Sequence, residues 1–180
     1  MDLRRQKYLI VDPSLSKDPE IGRWLWALQD TRQRTMSVLE RLTPAVIDWL
    51  PPNNESSIGT VLYHIALIEA DWLYTEVLEQ PFPPEVLPFF PYADQDEQGR
   101  LTQVKGVRLE EHLERLKTAR GLLLDVFQPM NLNEFRRVRS LAAYDVTPEW
   151  VLHHLMQHEA EHRSQIGALR VAAERQLAEG

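Results

Sequence analysis

The sequence has no cysteine among its 180 residues. That excludes a disulfide framework and any thiolate metal site, and it fits a reducing compartment. Glycine is scarce, at seven residues, which disfavours an architecture of strands and tight turns. A glycine-rich phosphate loop is missing too. No uninterrupted apolar run approaches the roughly 18 residues of a membrane span. The N-terminal stretch MDLRRQKYLIVDPSLSKDPE lacks an apolar run long enough for a signal peptide, so a cytoplasmic protein is expected. Positive charge is in deficit, with 20 basic against 27 acidic residues and a net charge of −7. Such a balance argues against a nucleic-acid groove. With 43% hydrophobic and 26% charged residues, disorder and fibrous classes are excluded. The length predicts one domain over 1–180, large enough to build a core without covalent staples.

Proline is plentiful, at 12 residues, and its clumps divide the chain. Asp18-Pro19-Glu20 reads as an N-cap, a first-turn proline and an acid near the positive helix end. Ile21, Leu25, Leu28, Leu39 and Leu42 then recur at helical spacing, which predicts a helix over about 19–42. Pro51-Pro52-Asn53-Asn54 breaks the chain. Ser56 or Ser57 can cap a second helix, about 57–79, with Val61, Ile65, Ile68 and Trp72 on one face. Five prolines within residues 81–91 forbid a regular helix there. Phe82, Phe89, Phe90 and Tyr92 imply that this segment packs down. A third helix is predicted over about 107–128, on Leu109, Leu113, Leu116, Leu123 and Phe127. A mixed stretch follows, and Thr147-Pro148-Glu149 opens a fourth helix, about 148–176. The fold class expected is all-α, a four-helix bundle with long connections between helices two and three and between helices three and four. Loops of that length are often functional.

The chemistry is concentrated in histidine. Of His64, His112, His153, His154, His158 and His162, four fall within ten residues. Helix four has an apolar seam of Val151, Leu155, Ile166 and Leu169. At about 100° per residue, His162 falls near the centre of that seam and His158 within about 45° of it. His154 lies roughly 85° away, and His153 faces the far side. An i, i+4 pair puts two imidazoles on one face, one turn apart, where they can share an ion. Buried imidazoles are costly unless their nitrogens are satisfied, and a metal does that. A third ligand must come from another helix. His64, at the edge of the stripe of helix two, is one candidate; His112 of helix three is its rival, or a fourth ligand. Three imidazoles without cysteine suit zinc, nickel, iron or copper, with one coordination position left open. Ligation requires neutral imidazoles, so binding is expected to fail below about pH 6.

His158-Glu159-Ala160-Glu161-His162 also matches the H-E-x-x-H motif of zinc proteases. No histidine follows His162, and no strand precedes the helix to hold a peptide. Glu159 is therefore read as a flanking residue that orients a ligand from behind.

SIGTVLYHIALIEADWL in helix two and TPEWVLHHLMQHEAEHRSQIGALR in the last helix resemble the DinB-like (DNA-damage-inducible) superfamily over about residues 20–176. The resemblance implies a four-helix bundle with a metal held by one histidine of helix two and an H-x-x-x-H pair of helix four. It places His64, His158 and His162 in those roles, preferring His64 to His112. It further implies a metalloprotein and a homodimer; three nitrogen ligands without a thiolate point to one divalent ion, zinc or nickel first. A metal-dependent transferase or hydrolase is implied, using a low-molecular-weight thiol, with a noncatalytic metal- or ligand-binding stress-response bundle as the alternative. A cation with an open position lowers the pKa of a bound thiol, so the thiol chemistry is coherent. The resemblance names no catalytic side chain.

Three other groups stand out. Arg32 and Arg120 sit on the core stripes of helices one and three, where an arginine needs a partner. They read as buried or rim ion pairs, or else as an anion clamp. Trp24, Trp26, Trp49, Trp72 and Trp150 read as core and interface packing. Arg136-Arg137-Val138-Arg139 reads as a solvated patch.

Overall fold

The computed structural model describes residues 10–52 and 56–179. Residues 1–9 of the N-terminal stretch, and Asn53 and Asn54 of the breaker, lie outside the described residues. The chain is mostly helical. In order run α1 (Pro19–Leu39), α2 (Pro44–Asp48), α3 (Ile58–Trp72), α4 (Leu109–Phe127), α5 (Leu132–Phe135) and α6 (Pro148–Glu179). The strand content described is one antiparallel pair of two-residue strands, β1 (Arg139–Ser140) and β2 (Asp145–Val146), with Arg139 opposite Val146. No described helix is long and apolar enough to cross a membrane.

The helix starts follow the capping chemistry. Asp18 accepts from the Glu20 amide at 2.9 Å, Ser57 from the Thr60 amide at 3.1 Å, and Thr147 Oγ1 from the Trp150 amide at 3.2 Å. Each satisfies an amide that has no partner inside its helix. The first helix ends at Leu39, three residues earlier than expected, with Arg41 at φ 63°. Thr43-Pro44 explains this: proline disfavours helix in the residue before it, and Thr43 caps a new short helix, α2. The α-helical part of the second helix ends at Trp72, where the chain widens into a π-helical turn, Leu73–Val77. Four of that turn's five side chains, Leu73, Tyr74, Glu76 and Val77, are buried.

The four long helices pack α1 on α6, α6 on α3, α3 on α4 and α4 on α1 around a common apolar core. At its centre each contributes one charge. Arg32 of α1 donates to Glu159 Oε1 at 2.7 Å and Glu69 Oε2 at 2.6 Å. Arg120 of α4 donates to Glu69 Oε1 at 2.5 Å and Glu159 Oε2 at 3.0 Å. The remaining guanidinium hydrogens reach the carbonyls of Leu116 and Leu28 and the Gln29 side chain. Arg32 and Arg120 are thus buried ion pairs, bound by protein groups rather than waiting for an anion. Glu159 is a core residue of this network, 1% exposed, and not the orienting flank expected of it. Burial would raise the Glu69 carboxyl, but the guanidiniums of Arg120 and Arg32 outweigh it and hold it below its ordinary range. The arginine run also differs from expectation. Arg136 and Arg137 are exposed, but Arg139 is 1% exposed, donating to the carbonyls of Val77, Glu134 and Arg137 and to the Glu134 carboxylate.

Removing one charge strands the others. Arg120→Met should cost roughly 3–5 kcal/mol in urea denaturation. The quadruple variant Arg32→Met, Glu69→Leu, Arg120→Met, Glu159→Leu should recover most of that loss. A cost below about 1 kcal/mol for Arg120→Met would show the network to be dispensable. Because the Glu69 carboxyl is depressed in the folded state, its contribution is full above its unfolded pKa and lost as pH falls through the folded value. Acid unfolding measured by circular dichroism should therefore set in below about pH 4.

Candidate metal centre

Three imidazoles meet on the side of the core where α3 faces α6. His64 comes from α3, and His158 and His162 come from successive turns of α6. Their Nε2 atoms converge: His158 Nε2 lies 3.0 Å from His64 Nε2 and 3.1 Å from His162 Nε2. The outer nitrogens explain the ring settings. His64 Nδ1 is 2.6 Å from Asp94 Oδ1, and His162 Nδ1 is 2.8 Å from Gln165 Oε1. Both oxygens are acceptors, so both Nδ1 atoms donate, and both Nε2 atoms turn inward as the atoms left to bind an ion. A proton on His158 Nε2 can bridge one of the two Nε2–Nε2 gaps but not both, whereas a cation among them satisfies all three nitrogens. Nitrogens roughly 2.0–2.1 Å from one tetrahedral ion lie about 3.3 Å from each other, close to the separations seen here. The donor set could hold a metal ion.

All three rings are half-buried, at the margin of the core rather than at its centre. Glu159 holds the central position at that level of α6, tied to α1 and α4. Burial, and then the neighbouring imidazoles of His162, His64 and His154, push His158 down to about 3. Burial also lowers His162, against the opposing pull of its bond to Gln165.

The other histidines do not join the cluster. His112 is fully buried on α4 and packs against Gly59, where an added Cβ would lie 3.2 Å from its Nε2. Gly59 precedes His64 by more than a helical turn, so the rival ligand sits at a different level of the core. Burial and the adjacent Arg115 push His112 down to about 4. His153 is exposed and meets Trp24 edge-on, away from the cluster, as its angle predicts. His154 stacks on Trp150, with centroids 5.2 Å apart and planes at 7°, and lies 5.7 Å from His158. Positions 150, 154, 158 and 162 form one i, i+4 stripe. It winds about 40° inward per step, from solvent to the cluster.

Glu159 cannot serve as the base of a protease site, since both its oxygens accept from guanidinium groups. Its neighbour Glu161 is exposed and bonds Gln157. The residues that sequence reasoning missed are Asp94 and Gln165. Asp94 comes from the proline-rich loop, which packs down through Val86 and Phe90. Tyr63 of α3 anchors that loop: its hydroxyl donates to the Tyr92 carbonyl at 2.7 Å and accepts from the Tyr92 amide at 2.9 Å. On the other side, the Thr102 amide donates to the Asp94 carbonyl at 3.0 Å. Arg115 lies over the Tyr63 ring, 5.0 Å from its centroid, and donates to the Phe89 carbonyl at 2.7 Å. Loop length and aromatic content marked the segment, but not which of its carboxylates reaches a ring.

This arrangement makes the carboxylate contact depend on the tyrosine. Asp94→Asn should weaken divalent-ion affinity about 10–100-fold in competition titrations. Tyr63→Phe, which frees Tyr92 but leaves all ligands in place, should weaken it in the same direction by a smaller factor. Unchanged affinity in both variants would show that the His64 ring is set by its helix alone.

No curated protein sequence matches the chain. Residues 27–166, which include the whole three-histidine cluster and Asp94, match the family model described as DinB superfamily. That span covers well over half of the chain, and the chain belongs to the DinB superfamily.

Proposed function

We propose that this protein binds one divalent metal ion through His64, His158 and His162, on a single four-helix-bundle domain, and uses it as a metal-dependent transferase or hydrolase acting with a low-molecular-weight thiol. The observation that carries the proposal is the convergence of three Nε2 atoms, with the outer nitrogens of His64 and His162 engaged by Asp94 and Gln165. Zinc or nickel suits a set of neutral imidazoles without thiolate. When bound, the ion supplies Lewis acidity at an open coordination position, where it favours the ionised form of a thiol or water.

The chain's own groups perform the rest. Asp94 holds the His64 ring and raises its basicity as a ligand. Gln165 does the same for His162 without adding charge. The depressed His158 and His162 stay neutral where an ordinary imidazole would take up a proton. Family membership supports the metal reading. A homodimer is part of the proposal, supported by exposed apolar side chains such as Val171 and Leu177 on the last turns of α6. The compartment proposed is the cytoplasm.

The test is metal content and affinity by isothermal titration, with zinc and nickel, across the histidine variants. His158→Ala and His162→Ala should abolish tight binding, and His64→Ala should weaken it strongly. His112→Ala and His153→Ala should leave the stoichiometry at one. Loss of the ion in His153→Ala with retention in His158→Ala would overturn the assignment. Thiol transfer assayed on the metal-loaded protein with a panel of thiols and electrophiles separates the enzyme from a noncatalytic metal-binding bundle.

The pH dependence follows from the depressed rings. A lowered pKa means that protons compete with the metal only in stronger acid, so half-release should occur below pH 6, the value that unperturbed imidazoles imply. Release above pH 6.5, followed by chelator dye, would contradict this. Light scattering should give about twice the 21.0 kDa chain mass at micromolar concentration; a monomer mass would remove the dimer from the proposal.

A further inference from the structure

A second site lies at the outer end of the stripe that leads to the three histidines. It is a cavity of about 490 Å³ walled by Trp72, Tyr144 and Trp150, with Val138 and Val146 beside them and Asp145 contributing a carboxylate. The aromatic rings are arranged around one space. Trp72 and Tyr144 are near-parallel, at 21°, with centroids 6.3 Å apart, and Trp150 lies 5.3 Å from Trp72. Trp150 and Tyr144 are exposed, 46% and 44%. Exposed aromatic faces gathered around a hollow offer area to a ligand rather than to the core.

The one charged side chain that lines the cavity, among the described residues, is the carboxylate of Asp145. Among the described residues no lysine or arginine lines it. Behind its wall, the Tyr144 hydroxyl donates at 2.9 Å to Glu76 Oε1. Glu76 is 5% exposed, and its Oε2 is buried without a hydrogen-bond partner. Burial raises its carboxyl, with nearby Asp71 adding to the effect, as expected of an acid with no counter-cation. One feature opposes a cation: the first turn of α6, whose partial positive charge lies close by through Thr147 and Trp150. The Trp150 amide is already taken by Thr147 Oγ1, and Glu149 adds a carboxylate to that turn. Asp145 at the wall and Glu76 behind it outweigh about half a unit charge, and Arg136, which interacts with Glu149, does not line the cavity.

We propose that the Trp72–Tyr144–Trp150 cavity is a binding site for an alkylated ammonium group. Aromatic faces attract a cation through their quadrupoles, most strongly when the cation is weakly hydrated, and Trp is the best of them. The two valines receive the alkyl substituents that a protonated primary amine lacks. Asp145 supplies the opposite charge at the wall, and Glu76, acting through the Tyr144 hydroxyl, makes the phenol ring a richer π-face. The site does not require the metal ion, and it is distinct from the cluster. His154, stacked on Trp150 and 4.3 Å from Trp72 by ring centroids, stands between the two.

The test uses the full chain with EDTA present, so that its outcome is independent of the metal assignment. Choline is titrated against its neutral isostere 3,3-dimethylbutan-1-ol, and isethionate serves as an anionic control, with tryptophan fluorescence and calorimetry as readouts. Choline should bind saturably at one site, with the isostere weaker by about tenfold and the anion weaker still. Trp150→Ala should lower choline affinity about tenfold, and Asp145→Asn should lower it severalfold while leaving the isostere unaffected. Both positions are exposed, and circular dichroism checks that each variant keeps its helices. Equal binding of choline and its isostere would reduce the site to an apolar hollow and overturn the proposal. So would the lack of saturable choline binding at millimolar concentration, or an unchanged affinity in Asp145→Asn together with Trp150→Ala.

Discussion

Two arginines and two glutamates, one from each long helix, meet in the middle of this protein, and the placement of everything else follows from how they meet. Buried charge tolerates little rotational freedom: a carboxylate that accepts from two guanidiniums has few alternative positions. Glu159 therefore sets the rotation of α6 about its axis, and Glu69 sets that of α3. His158 is the neighbour of Glu159 in sequence, and His64 lies five residues before Glu69. With Glu159 turned to the centre, its neighbours His158 and His162 fall on the α3 side of the helix, where His64 is. An all-apolar centre would be nearly as stable. It would allow a helix to turn by part of a residue, and a turn of that size separates nitrogen atoms that now lie 3 Å apart.

The cluster is completed from outside the helices. A segment too rich in proline for helix is held against α3 by Tyr63, and it delivers Asp94 to the outer nitrogen of His64. Rigid loops lose little further entropy when they take up a defined position. Proline here acts as a stiffener as well as a helix breaker. The π-helical turn after Trp72 contributes in a similar way. By spreading five residues over one turn, it brings Glu76 inward beneath Tyr144 and leaves Trp72 beside the outer cavity.

Much of this was legible in the residues. N-cap residues, proline positions and 3.6-residue periodicity located the long helices to within a few residues, because those signals act locally. Arg32 and Arg120 could be recognised as needing partners, since a guanidinium on an apolar stripe is conspicuous. Their partners could not: Glu69 and Glu159 lie in helices that carry other acids, and nothing local separates a buried glutamate from a solvated one. Helical angles brought His158 and His162 together. The same angles left His64 and His112 equivalent, because a wheel shows direction around a helix and not depth along the core. It was depth that separated them, with His112 level with Gly59. Asp94 and Gln165 were beyond reach for different reasons. Asp94 lies in a segment without periodicity, so there is no register to project. Gln165 faces its own neighbour His162, three residues earlier on the same helix, and no spacing rule marks a glutamine there as a partner of the ring. Arg139 shows the limit of charge runs: three arginines in four residues look alike in sequence, yet two are solvated and one is enclosed.

The position of α6 in the chain has a consequence for assembly. A polypeptide emerging from the ribosome presents Arg32, Glu69 and Arg120 long before Glu159, and His64 long before His158 and His162. Until the last helix is made, the first three can only enclose two cations with one anion, which disfavours a tight dry core. The nascent chain thus has an electrostatic reason to stay open, and the Arg32–Glu159 contact, spanning 127 residues of sequence, is among the last to form. Collapse and completion of the imidazole cluster then become a single late event, triggered by one helix. A chain truncated before α6 lacks both the closed charge network and the imidazole cluster.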